Sequence, residues 1–157
     1  ENDDESILII KVAGERESKR QPLSEEEAEG LRAYIGEIKD AGVRVSLVNQ
    51  EADEFYCEVD VYYDAILEAD TVAQDCQSRI KDYIENLPFN GEYTNMALVD
   101  ALQGVDGVKI AELKSSSARA MGEERPQQID ARTRPVAGYF KEGVITLNMI
   151  AYEEREV

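Results

Sequence analysis

The chain has 157 residues, enough for one domain with its own core, and its 43% apolar and 32% charged content argues against wholesale disorder. Acidic residues outnumber basic ones 34 to 17, a formal net charge of −17, so the surface repels nucleic-acid phosphate and anionic membranes. No apolar run reaches the roughly 18 residues of a membrane-spanning helix, and the one at residues 7–10 follows acids, not the bases of a secretion signal.

Residues 1–6 form a polar lead-in that is expected to fray. Residues 7–12 are apolar on both faces, the pattern of a strand covered on two sides. A mixed-charge loop follows over 14–22. Ser24 and Glu27 then make a capping box, in which each side chain satisfies an orphan donor of the first helical turn. Glu25 and Glu26 favour the positive end of the helix dipole. Ala28, Leu31, Ile35 and Ile38 recur at helical spacing, and Gly42 suits a left-handed stop.

Residues 43–48 alternate as a second strand, and 55–64 form a third. In the third, Phe55, Cys57, Val59, Val61 and Tyr63 point one way, while Tyr56, Glu58, Asp60, Tyr62 and Asp64 point the other. Thr71 with Gln74 can cap a helix whose apolar stripe is Val72, Cys76, Ile80, Ile84 and Leu87, and Pro88 ends it. Asn90-Gly91 is a turn. Thr94 can cap a short helix through Gln103, with Leu98, Val99 and Leu102 inward. Gly104 and Gly107 break it, and 108–113 read as a strand. Residues 115–134, rich in Ser, Gln, Arg and Glu, read as a long loop or arm. Residues 136–140 and 144–150 read as a closing hairpin around Glu142-Gly143.

This order predicts a single α+β domain over 1–157. The expected architecture is a ferredoxin-like (split β-α-β) sheet with an extra short helix and a C-terminal β-hairpin. Ile35, Ile38, Val59, Val61, Ile80, Ile84 and Leu98 are expected to share one buried layer.

The chain has no histidine, which removes Ser-His and Cys-His nucleophile pairs and the commonest zinc ligand. Neither GxxxxGK[ST] nor GxGxxG occurs. One carboxylate constellation stands out: Glu58 and Asp60, with Asp64, on one strand face, where they could hold a divalent ion as the strand carboxylates of nucleotidyltransferases do. Those enzymes also carry a Gly-Ser loop just upstream, and residues 49–54 supply none. Plain alternation on a solvent-facing strand accounts for the same pattern. No catalytic residue, cofactor or metal is therefore expected. Cys57 and Cys76 fall on apolar positions and read as packed thiols. Tyr56 and Tyr62 suit an interface, since tyrosine joins apolar area to a polar tip. Arg119, Arg125, Arg132 and Arg134, set in an acidic chain, suit an arm that reaches an acidic neighbour.

Three further stretches matter by their order and spacing. The first is Ile38-Lys39-Asp40-Ala41-Gly42-Val43, followed by residues 45–48 and Ala52-Asp53. The second is Val59-Asp60-Val61-Tyr62-Tyr63-Asp64. The third is Tyr83-Ile84-Glu85-Asn86-Leu87-Pro88-Phe89-Asn90-Gly91-Glu92, continuing through residues 97–102 to Val105-Asp106-Gly107-Val108. Together they resemble the C-terminal part of the baseplate J-like proteins of contractile phage tails and prophages. In those proteins a helix ends in a Leu-Pro-x-x-Gly turn, a short helix follows, and a Val-x-Gly-Val turn opens the next strand.

The resemblance is closest over residues 38–113. It implies a structural subunit of a baseplate wedge in the virion tail, without catalytic residues or cofactor. Its partners would be other baseplate or tail proteins and further copies of itself, with neither nucleic acid nor membrane bound. Pro88, Gly91 and Gly107 would be fold-defining positions. The family's larger upstream region is not among these 157 residues, so the resemblance does not extend to ring-forming contacts. Two other readings stand beside it: a magnesium-dependent nucleotidyl-transfer enzyme using Glu58 and Asp60, and an acidic adaptor for a basic protein.

Overall fold

The computed structural model describes residues 6–153; of the expected lead-in, residues 1–5 lie outside the described residues. The chain is α+β. Its first part holds β1 (Ile7–Lys11), β2 (Gly14–Arg16), β3 (Lys19–Gln21), α1 (Glu25–Ile38) and β4 (Arg44–Val48). Then come β5 (Asp53–Asp64), α2 (Ala69–Glu85), β6 (Tyr93–Thr94), α3 (Asn95–Gln103) and β7 (Val108–Arg119). Short β8 (Gln127–Gln128) and β9 (Arg132–Thr133) precede β10 (Phe140–Tyr152).

The central sheet has the order β10-β5-β7-β8. β10 runs parallel to β5, while β7 is antiparallel to it. β1 and β4 form a separate parallel pair, β2 and β3 a hairpin, and β6 and β9 a short antiparallel pair. These pairings do not reproduce a ferredoxin-like split β-α-β sheet, because β1 and β4 pair with each other apart from β5. No helix among the described residues is long and apolar enough to cross a membrane.

Two expectations are corrected at the C-terminal side. The closing hairpin is instead one strand, β10, which stays beside β5 from Phe140 to Tyr152 and shifts register between Glu142 and Ile145. Gly143 is the residue that allows this. A Cβ there would come within 2.7 Å of the Phe55 carbonyl oxygen, so glycine serves a close strand approach at a bulge.

The long loop or arm over 115–134 is also replaced. β7 continues through Arg119, β8 and β9 follow, and Ser116, Ala120 and Ile129 are buried. Asn95 ties this segment down. Its amide donates to the carbonyls of Ile129 (3.3 Å) and Asp130 (3.0 Å), and its oxygen accepts from the Ser116 hydroxyl (2.7 Å) and Tyr93 hydroxyl (3.0 Å). Serine at three successive positions hid the alternation, because a small polar side chain can be buried when its hydroxyl is bonded.

The helices begin as their chemistry requires, with one exception. Ser24 caps α1 by accepting from the Glu27 N–H at 3.2 Å and donating to the Glu27 carboxylate at 3.0 Å. Thr94 caps α3 through the Ala97 N–H at 3.1 Å. α2 begins earlier than the Thr71 and Gln74 pair implied, with Glu68 as an N-cap that makes no side-chain bond.

The core lies where β5 meets α2 and α3. Phe55, Cys57, Val59 and Val61 pack with Val72, Cys76, Ile80, Ile84, Leu98 and Leu102. Tyr93 is fully buried, its ring 5.0 Å from Phe55, 5.8 Å from Tyr83 and 6.2 Å from Phe140. Ile35 is only half-buried and Ile38 is exposed, so neither joins the expected common layer. β1 departs further: Ile7, Leu8 and Ile9 are 61%, 52% and 62% exposed, although a doubly covered strand was expected. Among the described residues β1 pairs only with β4. α1 lies beside that pair, where Ile35, Val45 and Leu47 line one small cavity.

The turn after α2 is the bracket between the two parts. Gly91 N donates to Pro88 O at 2.7 Å, and a Cβ on Gly91 would sit 2.6 Å from that oxygen. Asn90 adopts a positive φ of 56° and accepts from Lys11 Nζ at 2.8 Å, while Lys11 also reaches Pro135 O at 2.8 Å. Arg20 donates to Leu87 O at 2.7 Å. Nearby, the buried Asp53 carboxylate accepts from the N–H groups of Val136 (2.8 Å) and Ala137 (3.0 Å). Gly107, at φ +88°, opens β7 against Leu67, whose Cδ1 would be 2.4 Å from an added Cβ.

Candidate functional site

β5 alternates strictly, with its inner side chains under α2 and α3 and its outer ones turned away from the core. Register across β10, β5 and β7 sorts the outer face into cross-strand rungs. At the start of β5 stand Lys141, Glu54 and Arg119. Tyr56 follows beside Ser117, itself paired with Gln128 of β8. Then come Thr146, Glu58 and Ser115, and after them Asn148, Asp60 and Glu112. The next rung is apolar: Ile150, Tyr62 and Ile110. Tyr152 and Asp64 end the face. None of these outward residues is buried, and Ile110 is 45% exposed.

The polar rungs are internally bonded. Arg119 donates to Glu54 at 2.9 Å, and Tyr56 hydroxyl donates to the same carboxylate oxygen. The Tyr56 bond, then Arg119, holds the Glu54 carboxyl below its ordinary range. Asn148 Nδ2 bridges Glu58 (3.0 Å) and Asp60 (2.9 Å). Lys114 Nζ lies 3.1 Å from Glu112 and 3.6 Å from Asp60, and these carboxylates raise its pKa. Asp64 turns aside to accept from the Ile66 N–H at 3.1 Å. Glu58 and Asp60 therefore share Asn148, while Asp64 serves its own turn. Among the described residues, no group of three or more His, Cys, Asp or Glu is arranged to hold a metal ion.

Tyr56 and Tyr62 thus lie on one open face, at opposite sides of its acidic middle. The arginines do not gather. Arg119 belongs to the first rung, Arg132 pairs with Glu92 at 3.1 Å, Arg134 donates to Asn90 O at 3.3 Å, and Arg125 is exposed between β7 and β8. Three of the four thus make contacts within the chain. Cys57 and Cys76 are buried and unbridged, and burial pushes their thiols up to about 12 and about 11, away from the reactive thiolate. A cleft of about 410 Å³ beside β3 and the start of β10 mixes Lys19, Arg20 and Lys141 with Glu15, Glu51 and Glu85, and so selects neither ion sign.

Sequence reasoning overlooked the apolar rung and the Lys11, Asn90 and Asp53 bracket. The alternation of Ile110 and Ile150 was visible in each strand. Their meeting with Tyr62 depends on register, which a single strand's pattern does not contain. No protein-family model and no curated protein matches this chain.

Proposed function

We propose that this chain is a structural, non-catalytic assembly module of a contractile-tail baseplate, from a phage or prophage, acting in the virion tail through contacts with other baseplate or tail proteins. The observation that carries the reading is the open sheet face with its Ile150, Tyr62 and Ile110 rung. Apolar side chains left at the surface beside a polar rim are what a subunit interface requires. The resemblance over residues 38–113 supplies the kind of assembly. Within it, the turn from Leu87 to Gly91 receives Lys11 and Arg20, a bracket's role. The magnesium-dependent reading draws less support, since Glu58 and Asp60 are already bonded to Asn148, and Asp60 also faces Lys114.

Deleting the coding sequence in frame from its source genome, inducing particles and imaging them tests the proposal. Tails that lack assembled baseplates, with an antibody to the chain marking the tail end of wild-type particles, are expected. Unchanged infectious particles that the antibody does not mark would overturn it.

A further inference from the structure

We infer that the apolar rung of Tyr62, Ile110 and Ile150, with the carboxylates beside it, docks a cationic amphipathic segment of another protein. The inference rests on the assembly reading only in taking the occupant to be a protein. The face has two adjoining zones of opposite character. One rung near its far end is apolar across three strands, and the next rung toward the middle carries Asp60 and Glu112 with Glu58 behind them. Among the described residues Lys114 pairs with Asp60 and Glu112 and leaves Glu58 without a cation, so the zone keeps a net negative charge.

That charge selects the occupant. A second copy would bring the same acidic rim against itself, on a chain already at −17. A segment bearing arginine or lysine beside an apolar anchor would instead meet complementary zones. The carboxylates are also held ready. Asn148 bonds one oxygen each of Glu58 and Asp60, which orders both carboxylates and leaves the second Glu58 oxygen for a guanidinium. Geometry sets the spacing. Successive rungs on one face are two residues apart along β5, roughly 7 Å. Alternate residues of a strand span that distance, and positions i and i+4 of a helix come close to it.

The test uses the full chain, ¹⁵N-labelled, and a synthetic helical peptide with leucine at i and arginine at i+4. A second peptide has glutamate in place of each arginine. Saturable binding of the arginine peptide is expected, with shifts centred on Asp60, Tyr62, Ile110 and Ile150. Ile110→Ser, or Asp60→Asn combined with Glu112→Gln, should weaken it by about tenfold or more. These positions lie outside the core, and thermal melts confirm that each variant folds. Equal binding of both peptides, shifts confined to α1 and β1, or undiminished binding by the folded variants would overturn the inference. So would self-association of the chain that Ile110→Ser abolishes, since a second copy would then own the face. If the peptide fails while the deletion still removes baseplates, the assembly reading stands and this occupant alone is wrong.

Discussion

The strands β1 and β5 both carry large apolar side chains, yet these end in opposite environments. β5 lies between two partner strands and under α2 and α3, and its Phe55, Val59 and Val61 are fully buried. Among the described residues β1 has one partner strand, and Ile7, Leu8 and Ile9 stay open. Charge separates the two parts as well. Residues 6–50 carry eight acidic and seven basic side chains, whereas residues 51–153 carry twenty and nine. The difference teaches that apolar content gives a strand the capacity for burial, while burial itself comes from the layers that reach it. Cohesion in this chain therefore centres on β5, and the first part is joined to it by the Lys11 and Arg20 bonds, by Arg20 over the Phe89 ring and by Ala13 packed against Ala137 and Tyr139.

The largest expected effect tests that centre. Ile84→Ala should cost about 2–5 kcal/mol in urea unfolding, because α2 buries this side chain against β5. Ile9→Ala should stay within about 0.5 kcal/mol. Comparable losses at the two sites would erase the contrast.

Asn95→Ala comes next, at about 1–3 kcal/mol, because it strands the buried Tyr93 hydroxyl and leaves Ser116 only its 3.3 Å bond to Ile129 O. Hydrogen exchange should quicken across residues 127–133 and leave α2 unchanged; an unchanged rate at 127–133 would remove Asn95 as the tether.

The smallest effect is a pair of opposite pH slopes at neighbouring residues. Burial raises the Asp53 pKa in the fold, despite the N–H bonds from Ala137 and Val136. The Tyr56 hydroxyl, then Arg119, lowers that of Glu54. By linkage, the Glu54 contribution is present above the unfolded carboxylate range, about 4.3, and is lost as pH falls through its lower folded value. The Asp53 contribution grows as pH falls through its raised folded value. The stability gap between wild type and Glu54→Gln should shrink with acid, and the gap to Asp53→Asn should move in wild type's favour. Slopes of the same sign would contradict the assigned environments.

Local chemistry was legible where a few adjacent residues decide it. Ser24 with Glu27 and Thr94 name their helix starts, and the stripe Val72, Cys76, Ile80 and Ile84 names the buried face of α2. The alternation of β5 named both its faces, and with them Tyr56 and Tyr62 on the outer one. Non-local information was not legible. Glu142-Gly143 has the composition of a turn, and only the proximity of the Phe55 carbonyl makes it a bulge in a continuous strand. Ser115-Ser116-Ser117 has the composition of a loop, and only Asn95 and Ile129 make Ser116 a core residue. The docking face belongs to the same class, since its apolar rung exists only through the register of three strands.

The course of β10 beside β5 also has a mechanical meaning. The two strands are parallel, and their ladder joins Phe140 near the bracket to Tyr152 at the far end. Force applied along β10 at Tyr152 loads these bonds in shear, many at once, because no single pair can open before its neighbours. Force drawing β1 outward meets a shorter ladder to β4 and then the two bonds of Lys11. A pull on β10 should therefore meet more resistance than a pull on β1.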